Sequence, residues 1–206
     1  VKAMRVHMEE ENAMRLMKEQ FKEIFRHERE IVFVCIGTDR STGDAYGPFV
    51  GLELKKMKKL WKREDIHVYG CLHEPVHALN FHEVLAEIKG NHPDALLVAV
   101  DSCLCSIGSV ETICIENKPL KPGAFNAELP ETGDWRILGN VNVSGYMEHM
   151  VLGSTRLSLV LRMAEKPPRR FHWRFSSWKR KRSQKCRQYK TRPIRRWSGF
   201  FECAQT

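Results

Sequence analysis

The chain has 206 residues, 42% hydrophobic and 29% charged, enough apolar content for a buried core and too much for a mainly disordered chain. Its net charge of +9 is unevenly placed: residues 1–166 carry 21 Lys and Arg against 24 Asp and Glu, or −3, while residues 167–206 carry 13 against Glu202 alone, or +12. A nucleic-acid reading based on overall charge therefore fails for the larger part, and apolar runs such as 31–36 and 95–100 fall far short of the roughly 20 residues of a membrane-spanning helix.

In chain order, Glu9–Glu28 places Met14, Met17, Phe21, Ile24 and Phe25 three and four residues apart among charges, which predicts an amphipathic helix. Glu9, Glu10 and Glu11 stand where a secretory peptide would be apolar, so a cytoplasmic protein is expected. Ile31–Ile36, IVFVCI, is a continuous β-branched and aromatic run that suits a strand covered on both faces. After a loop over Gly37–Gly47, Pro48 fits the first turn of a helix whose stripe is Val50, Leu54, Met57 and Trp61. Ile66–Tyr69 predicts a short strand, Asn80 a helix N-cap, and Asn80–Lys89 the helix it starts. Ala95–Val100 is the third strand, ending at Asp101, and Val110–Ile115 and Ile137–Val143 are two more, the first able to pair antiparallel. Residues 118–134, with Pro119, Pro122, Gly123, Pro130 and Gly133, predict a long loop that could cover a site as a flap. A last helix over Gly145–Glu165 would pack Met147, Met150, Val151, Leu157, Val160 and Leu161 on the sheet.

Strands alternating with helices predict a three-layer α/β sandwich with a mostly parallel central sheet, whose ligands bind beyond the carboxyl ends of the strands. The division expected is 1–29 as an N-terminal helix packed on the domain, 30–166 as the α/β domain, and 167–206 as a basic aromatic tail. Seven cysteines, at 35, 71, 103, 105, 114, 186 and 203, form no C-x-x-C pair and read as buried thiols, not a disulfide framework.

The segment that carries chemistry is Gly37-Thr38-Asp39-Arg40-Ser41-Thr42-Gly43-Asp44-Ala45-Tyr46-Gly47-Pro48, set between the first strand and its helix. Neither glycine-rich phosphate motif is present, and Asp39 and Asp44 would repel phosphate, so a nucleotide loop is rejected. In a parallel sheet the end of the third strand emerges on the same edge, so Asp44 and Asp101 can converge despite their separation. The plain alternative is that each caps a local turn or helix, a common use of Asp.

These blocks, IVFVCI followed by GTDRSTGDAYGP, AVDSCL and GYMEHMVLGSTRLSLVLRMAE, resemble the YyaC family of sporulation proteins. That family is related to the spore germination protease and, more distantly, to the hydrogenase maturation proteases. The likeness covers about Glu30 to Glu165 and implies the phosphorylase/hydrolase-like fold of the germination protease. That protease is an atypical aspartic endopeptidase acting on small acid-soluble spore proteins, and its first catalytic Asp lies in a T-P-D-A-L-G-P segment. Thr42–Pro48 is similar, which carries the role to Asp44; the second catalytic Asp, in I-D-A-L, corresponds to Asp101. The resemblance thus implies a peptidase in which one carboxylate activates water and the other, protonated, polarises the scissile carbonyl. Its partners would be small acid-soluble spore proteins and its place the forespore or spore core. Thr38, Asp39, Arg40 and Thr42 would contact substrate.

The hydrogenase maturation proteases use acidic positions and a histidine for a metal; the one late histidine in the family-like part is His149, a weak candidate, and no cofactor is expected. His73, Glu74, His77 and His82 read as a loop rim or a solvated loop, since Pro75 interrupts a helical pairing of the histidines. Cys103 and Cys105 lack a partner histidine signature, and Ser102, Ser106 and Ser109 lack a nucleophile elbow. The tail interleaves Arg169, Arg170, Lys179–Arg182, Arg195 and Arg196 with Phe171, Trp173, Trp178 and Trp197. Such a pattern suits a nucleic-acid or anionic-surface arm, or a disordered or non-native C-terminus; no membrane partner is expected of the rest, and nucleic acid only through this tail. Two other functions stay open: a non-catalytic sporulation factor binding a protein or peptide in the same cleft, and a metal-dependent maturation peptidase.

Overall fold

The computed structural model describes residues 3–26, 29–61, 64–123 and 129–167. The expectations for the tail, and those for Cys186 and Cys203, fall outside these residues.

The strands are β1 (Met4–His7), β2 (Ile31–Cys35), β3 (Ile66–Tyr69), β4 (Leu96–Cys105), β5 (Thr112–Glu116) and β6 (Trp135–Val143). The helices are α1 (Ala13–Ile24), α2 (Tyr46–Trp61), α3 (Phe81–Asn91), α4 (Glu148–Gly153) and α5 (157–167). One six-stranded sheet has the order β1-β5-β6-β4-β2-β3. β3, β2, β4 and β6 are mutually parallel, while β5 is antiparallel to both β6 and β1. This is the three-layer α/β architecture with a mostly parallel sheet that the alternating elements predict.

β2 is wholly buried, as its unbroken apolar run requires of a strand covered on both faces. Alternate side chains leave the sheet on opposite sides. Val32 and Val34 pack with Phe81, Leu85 and Ile88 of α3 on one face. A side chain at Gly51 of α2 would touch Cys35 Cβ, so α2 covers the other face.

Several predicted elements differ in the fold. The first helix is shorter than Glu9–Glu28, and its buried stripe is Ala13, Met17, Phe21 and Ile24. Ahead of it, Met4–His7 forms an edge strand bonded to β5, so the N-terminal segment contributes more than a helix. Asn80 stands at the N-cap of α3 but makes no side-chain cap bond. Instead its Oδ1 accepts from the His77 N–H at 2.9 Å and its Nδ2 donates to the Pro75 carbonyl at 3.0 Å, tying down the preceding loop. β4 runs past Asp101 to Cys105 because β6 continues beside it, with a register shift between Cys103 and Leu104. The long loop after β5 sends Leu120 and Leu129 into the core and bridges Leu120 to Thr132, so its described ends belong to the packed face.

The single C-terminal helix is instead two. Asn142, at the end of β6, donates through Nδ2 to the Val151 carbonyl at 3.2 Å and to Thr155 Oγ1 at 3.0 Å, and Thr155 Oγ1 donates to Val151 O at 2.9 Å. These bonds satisfy the Val151 carbonyl near the end of α4 and favour ending the helix there. The break shifts the helical phase, so Leu159, Val160, Met163 and Ala164 face inward, while Met147, Met150, Leu157 and Leu161 are exposed.

Candidate functional site

β2 connects through α2 to β3 on one side, whereas its other neighbour, β4, leads on to β5 and β6. The chain therefore diverges between the carboxyl ends of β2 and β4, the crevice in which open α/β sheets bind ligands. Asp44 and Asp101 both stand there.

The turn that carries Asp44 is held by backbone contacts. Ile36 N–H donates to Val100 O at 2.7 Å, extending β2 beside β4 to the residue before Asp101. Gly37 has φ +141°, and a Cβ there would lie 2.0 Å from the Asp44 carbonyl oxygen, so only glycine lets the two limbs of the turn close on each other. Thr38 N–H donates to that same carbonyl at 3.3 Å. On one flank Gly37 N–H donates to Val76 O at 2.8 Å; on the other Gly43 N–H donates to Leu152 O at 2.9 Å, which docks α4 on the turn.

Tyr46 sets the turn against the sheet. It is fully buried, and a side chain at Gly139 of β6 would meet its ring at 2.7 Å, so the ring lies on bare backbone. Gly139 is the register partner of Ser102 in β4. Packing Tyr46 there brings Asp44, two residues earlier, to the segment Asp101-Ser102.

Ser102 touches both carboxylates: its N–H donates to Asp101 Oδ1 at 2.8 Å and its hydroxyl to Asp44 Oδ1 at 3.4 Å. The two aspartates have different surroundings. Asp44 is half-buried on a turn, whereas Asp101 is 9% exposed within a strand. Burial pushes the Asp101 carboxyl up to about 8, the charge of Asp44 adds to this, and the Ser102 N–H opposes it. At neutral pH Asp101 keeps its proton.

Among the expected substrate contacts, Thr38 and Thr42 are half-buried in the turn, and Asp39 and Arg40 are exposed on its rim. Thr38 Oγ1 accepts from the Arg40 N–H at 3.3 Å, giving Thr38 a part in shaping the turn. His149 is exposed on α4, and among the described residues it joins no three-ligand group with the aspartates. His73 and Glu74 line a different cleft, of about 840 Å³, with Lys55, Lys59 and Val68, and Glu74 pairs with Lys55 at 2.8 Å. Cys35, Cys71 and Cys114 are buried thiols as expected, while Cys103 and Cys105 are half-buried. Burial first and Asp101 second push the Cys103 thiol up, the opposite of what a thiolate nucleophile needs.

The family model described as "Protein of unknown function (DUF1256)" matches residues 5–166. The chain belongs to the DUF1256 family. A relative from Bacillus subtilis (strain 168), described as "Uncharacterized protein YyaC", is 50% identical over 137 residues, 66% of this chain and 65% of that protein. The match therefore spans just under two thirds of the relative's length, and the YyaC likeness read from the motifs holds over it. Among solved structures, that of a NiFe hydrogenase maturation protease, HycI, from Thermococcus kodakarensis KOD1 is similar with a TM-score of 0.47 and 20% identity, over 72% of this chain and 94% of that one. For the DUF1256 fold in hand, the element sequence reasoning missed is Ser102. Its adjacency to Asp101 was visible, but its reach to Asp44 depends on the register with Gly139.

Proposed function

We propose that this protein is a sporulation-associated peptidase of the aspartic type, with Asp44 and Asp101 as its catalytic pair. The observation that carries this is the unequal pair itself: a buried, protonated carboxyl and a more accessible carboxylate, bridged by one serine at the switch point of the sheet. The similarity of Thr42–Pro48 to the catalytic segment of the spore germination protease supports it.

Two neighbouring carboxylates favour sharing a single proton, and their different burial decides which one holds it. Asp44 takes the proton of a water molecule as that water attacks the scissile carbonyl carbon. Asp101 donates a hydrogen bond, then its proton, as the carbonyl oxygen gains charge. Collapse of the tetrahedral intermediate breaks the C–N bond: the proton held by Asp44 passes to the leaving amine, and one hydroxyl of the diol returns its proton to Asp101. Ser102 positions both carboxylates. Thr38, Asp39, Arg40 and Thr42 form the rim that meets the peptide backbone, and small acid-soluble spore proteins in the forespore or spore core are the substrate class.

A second reading is a non-catalytic factor that binds a protein in the same cleft. It draws on the exposed Tyr146 and Met147 just ahead of α4 and Met150 within it, the helix whose Leu152 carbonyl docks on the Asp44 turn. Such apolar exposure suits contact with a protein. The two readings separate on turnover. The full chain, incubated with small acid-soluble spore protein beside Asp44→Asn and Asp101→Asn, is expected to give fragments by mass spectrometry that both variants fail to give. Folded wild type that binds this substrate without cutting it overturns the peptidase reading in favour of the binding factor.

A further inference from the structure

At the opposite edge of the sheet, where the parallel strands begin, three side chains from separate parts of the chain meet. Glu30 immediately precedes β2, His67 is the second residue of β3, and His92 follows α3 as its C-cap. The backbone fixes all three: Val32 is the register partner of His67, Leu96 N–H donates to Glu30 O at 2.8 Å, and His92 N–H donates to Ile88 O at 2.8 Å.

His92 Nδ1 lies 3.1 Å from Glu30 Oε2, and His67 Nε2 lies 3.6 Å from Glu30 Oε1. The two imidazole rings are 3.9 Å apart by centroid, with Tyr69 edge-on to His92. One ligand atom from each residue falls within 4.8 Å of the other two. His67 Nε2 is buried and makes no hydrogen bond of normal length among the described residues; Glu30 Oε1, at 3.6 Å, leaves this buried ring nitrogen only loosely satisfied.

We propose that Glu30, His67 and His92 form a binding site for a divalent transition-metal ion, zinc by its donor set, with water as the fourth ligand. Zinc bonds of about 2.0–2.1 Å in a tetrahedron place neighbouring ligand atoms roughly 3.3–3.4 Å apart. Here His92 Nδ1 and His67 Nε2 approach the two oxygens of Glu30 at 3.1 and 3.6 Å, and one donor from each residue lies within 4.8 Å of the others, so side-chain adjustment alone would close the site around an ion. Two imidazoles and one carboxylate select zinc or a similar ion over magnesium and calcium, which take oxygen donors. The ion would bind neutral His67 through Nε2 in place of its loose 3.6 Å approach to Glu30. Bound there, the ion clips the starts of β2 and β3 to the end of α3, the edge away from the aspartates. The site is independent of the peptidase reading.

The test uses the full chain, stripped with chelator and titrated with zinc against a chromophoric competitor at pH 7.5, beside Glu30→Gln, His92→Gln, His149→Gln and Asp101→Asn. One zinc per chain is expected, bound at least tenfold more weakly by Glu30→Gln and His92→Gln and unchanged in the other two. Zinc should also raise the thermal midpoint of the wild type and not of Glu30→Gln, an isosteric change at an exposed residue whose folding circular dichroism verifies. Failure of the wild type to take zinc from the competitor overturns the site. So does equal affinity in all the variants, which would place the ion on other histidines.

Discussion

The turn after β2 and the strand β4 deliver the same residue type to the same edge of the sheet, yet they deliver it differently. Asp44 rides on a turn closed by Gly37 and Gly43 and is reachable from solvent, whereas Asp101 is buried in β4 beside β6, one residue past its pairing with β2, with the Ser102 N–H on one oxygen. A carboxyl group has no intrinsic preference for acid or base work; burial and neighbouring charge decide it. Burial in β4 thus sets Asp101 apart from an ordinary surface carboxyl. Exchanging the two local structures, or neutralising either member, is the way to test that difference.

The largest effect expected is on turnover. Asp44→Asn removes the base and Asp101→Asn the acid, and each should lower kcat by on the order of 10²–10⁴-fold, the usual contribution of a positioned proton-transfer group. Equal loss of binding and turnover in both, measured by separate peptide-binding and hydrolysis assays, would place the pair in recognition instead. Wild-type hydrolysis should also fall as pH rises through about 8, where Asp101 loses its proton.

The same buried carboxyl makes a stability prediction in which Asp101→Asn gains where its turnover is lost. Folded Asp101 holds its proton up to about pH 8, while in the unfolded chain the group releases it near its ordinary value of 3.8. Between these values the folded state binds more protons, so the stabilising contribution is fully present below about pH 4 and is lost as pH rises towards 8, at up to about 1.4 kcal/mol per pH unit. Asp101→Asn cannot ionise and should flatten that slope, unfolding at a higher temperature than wild type at pH 8 while being inactive. Parallel pH profiles of the two proteins by thermal denaturation would reveal it, and identical profiles would mean that water reaches Asp101 freely.

The third prediction concerns how the turn is pressed against the strands. Gly139→Ala places a Cβ 2.7 Å from the Tyr46 ring, with β6 backbone behind it and a fully buried ring in front. Overpacking of this kind costs about 1–3 kcal/mol. Since the ring can relieve it only by moving with its turn, hydrolysis should fall along with the thermal midpoint. A stability loss with unchanged kcat would show that Tyr46 anchors the fold without placing Asp44.

These regions were not equally legible in the sequence. β2 and the following turn announced themselves, because a strand buried on both faces must be continuously apolar and a turn with close backbone approaches must be rich in glycine. β1 did not: four residues of MRVH bury only alternate side chains and pair with β5 more than a hundred positions away, so nothing local marks them. The continuation of β4 through Ser102-Cys103-Leu104-Cys105 is likewise fixed by β6 and not by apolar patterning. In the last helical segment the periodicity was real but its phase was not, since one threonine and one asparagine end α4 and restart the count. Asp44 and Asp101 could be named from strand ends and a motif, whereas Glu30, His67 and His92 meet only through register and the end of α3. Three-dimensional pairing decides what a list of residue types leaves open.

The smallest effect separates the two bonds of Ser102. Ser102→Ala keeps the backbone N–H on Asp101 and deletes only the hydroxyl that reaches Asp44 at 3.4 Å, a long bond to a half-buried acceptor. A serine that merely positions should cost little: a hydrogen bond to a charged group contributes about 1.5–3 kcal/mol at best, and one of this length less. Turnover should therefore drop no more than about tenfold, with the alkaline limb set by Asp101 left in place, because the group that titrates and its N–H donor are untouched. Loss as large as that of Asp44→Asn would recast Ser102 as a nucleophile with Asp44 as its base. That assignment would demand a covalent acyl adduct on Ser102 in the mass spectrum of trapped enzyme, which the two-aspartate chemistry does not form.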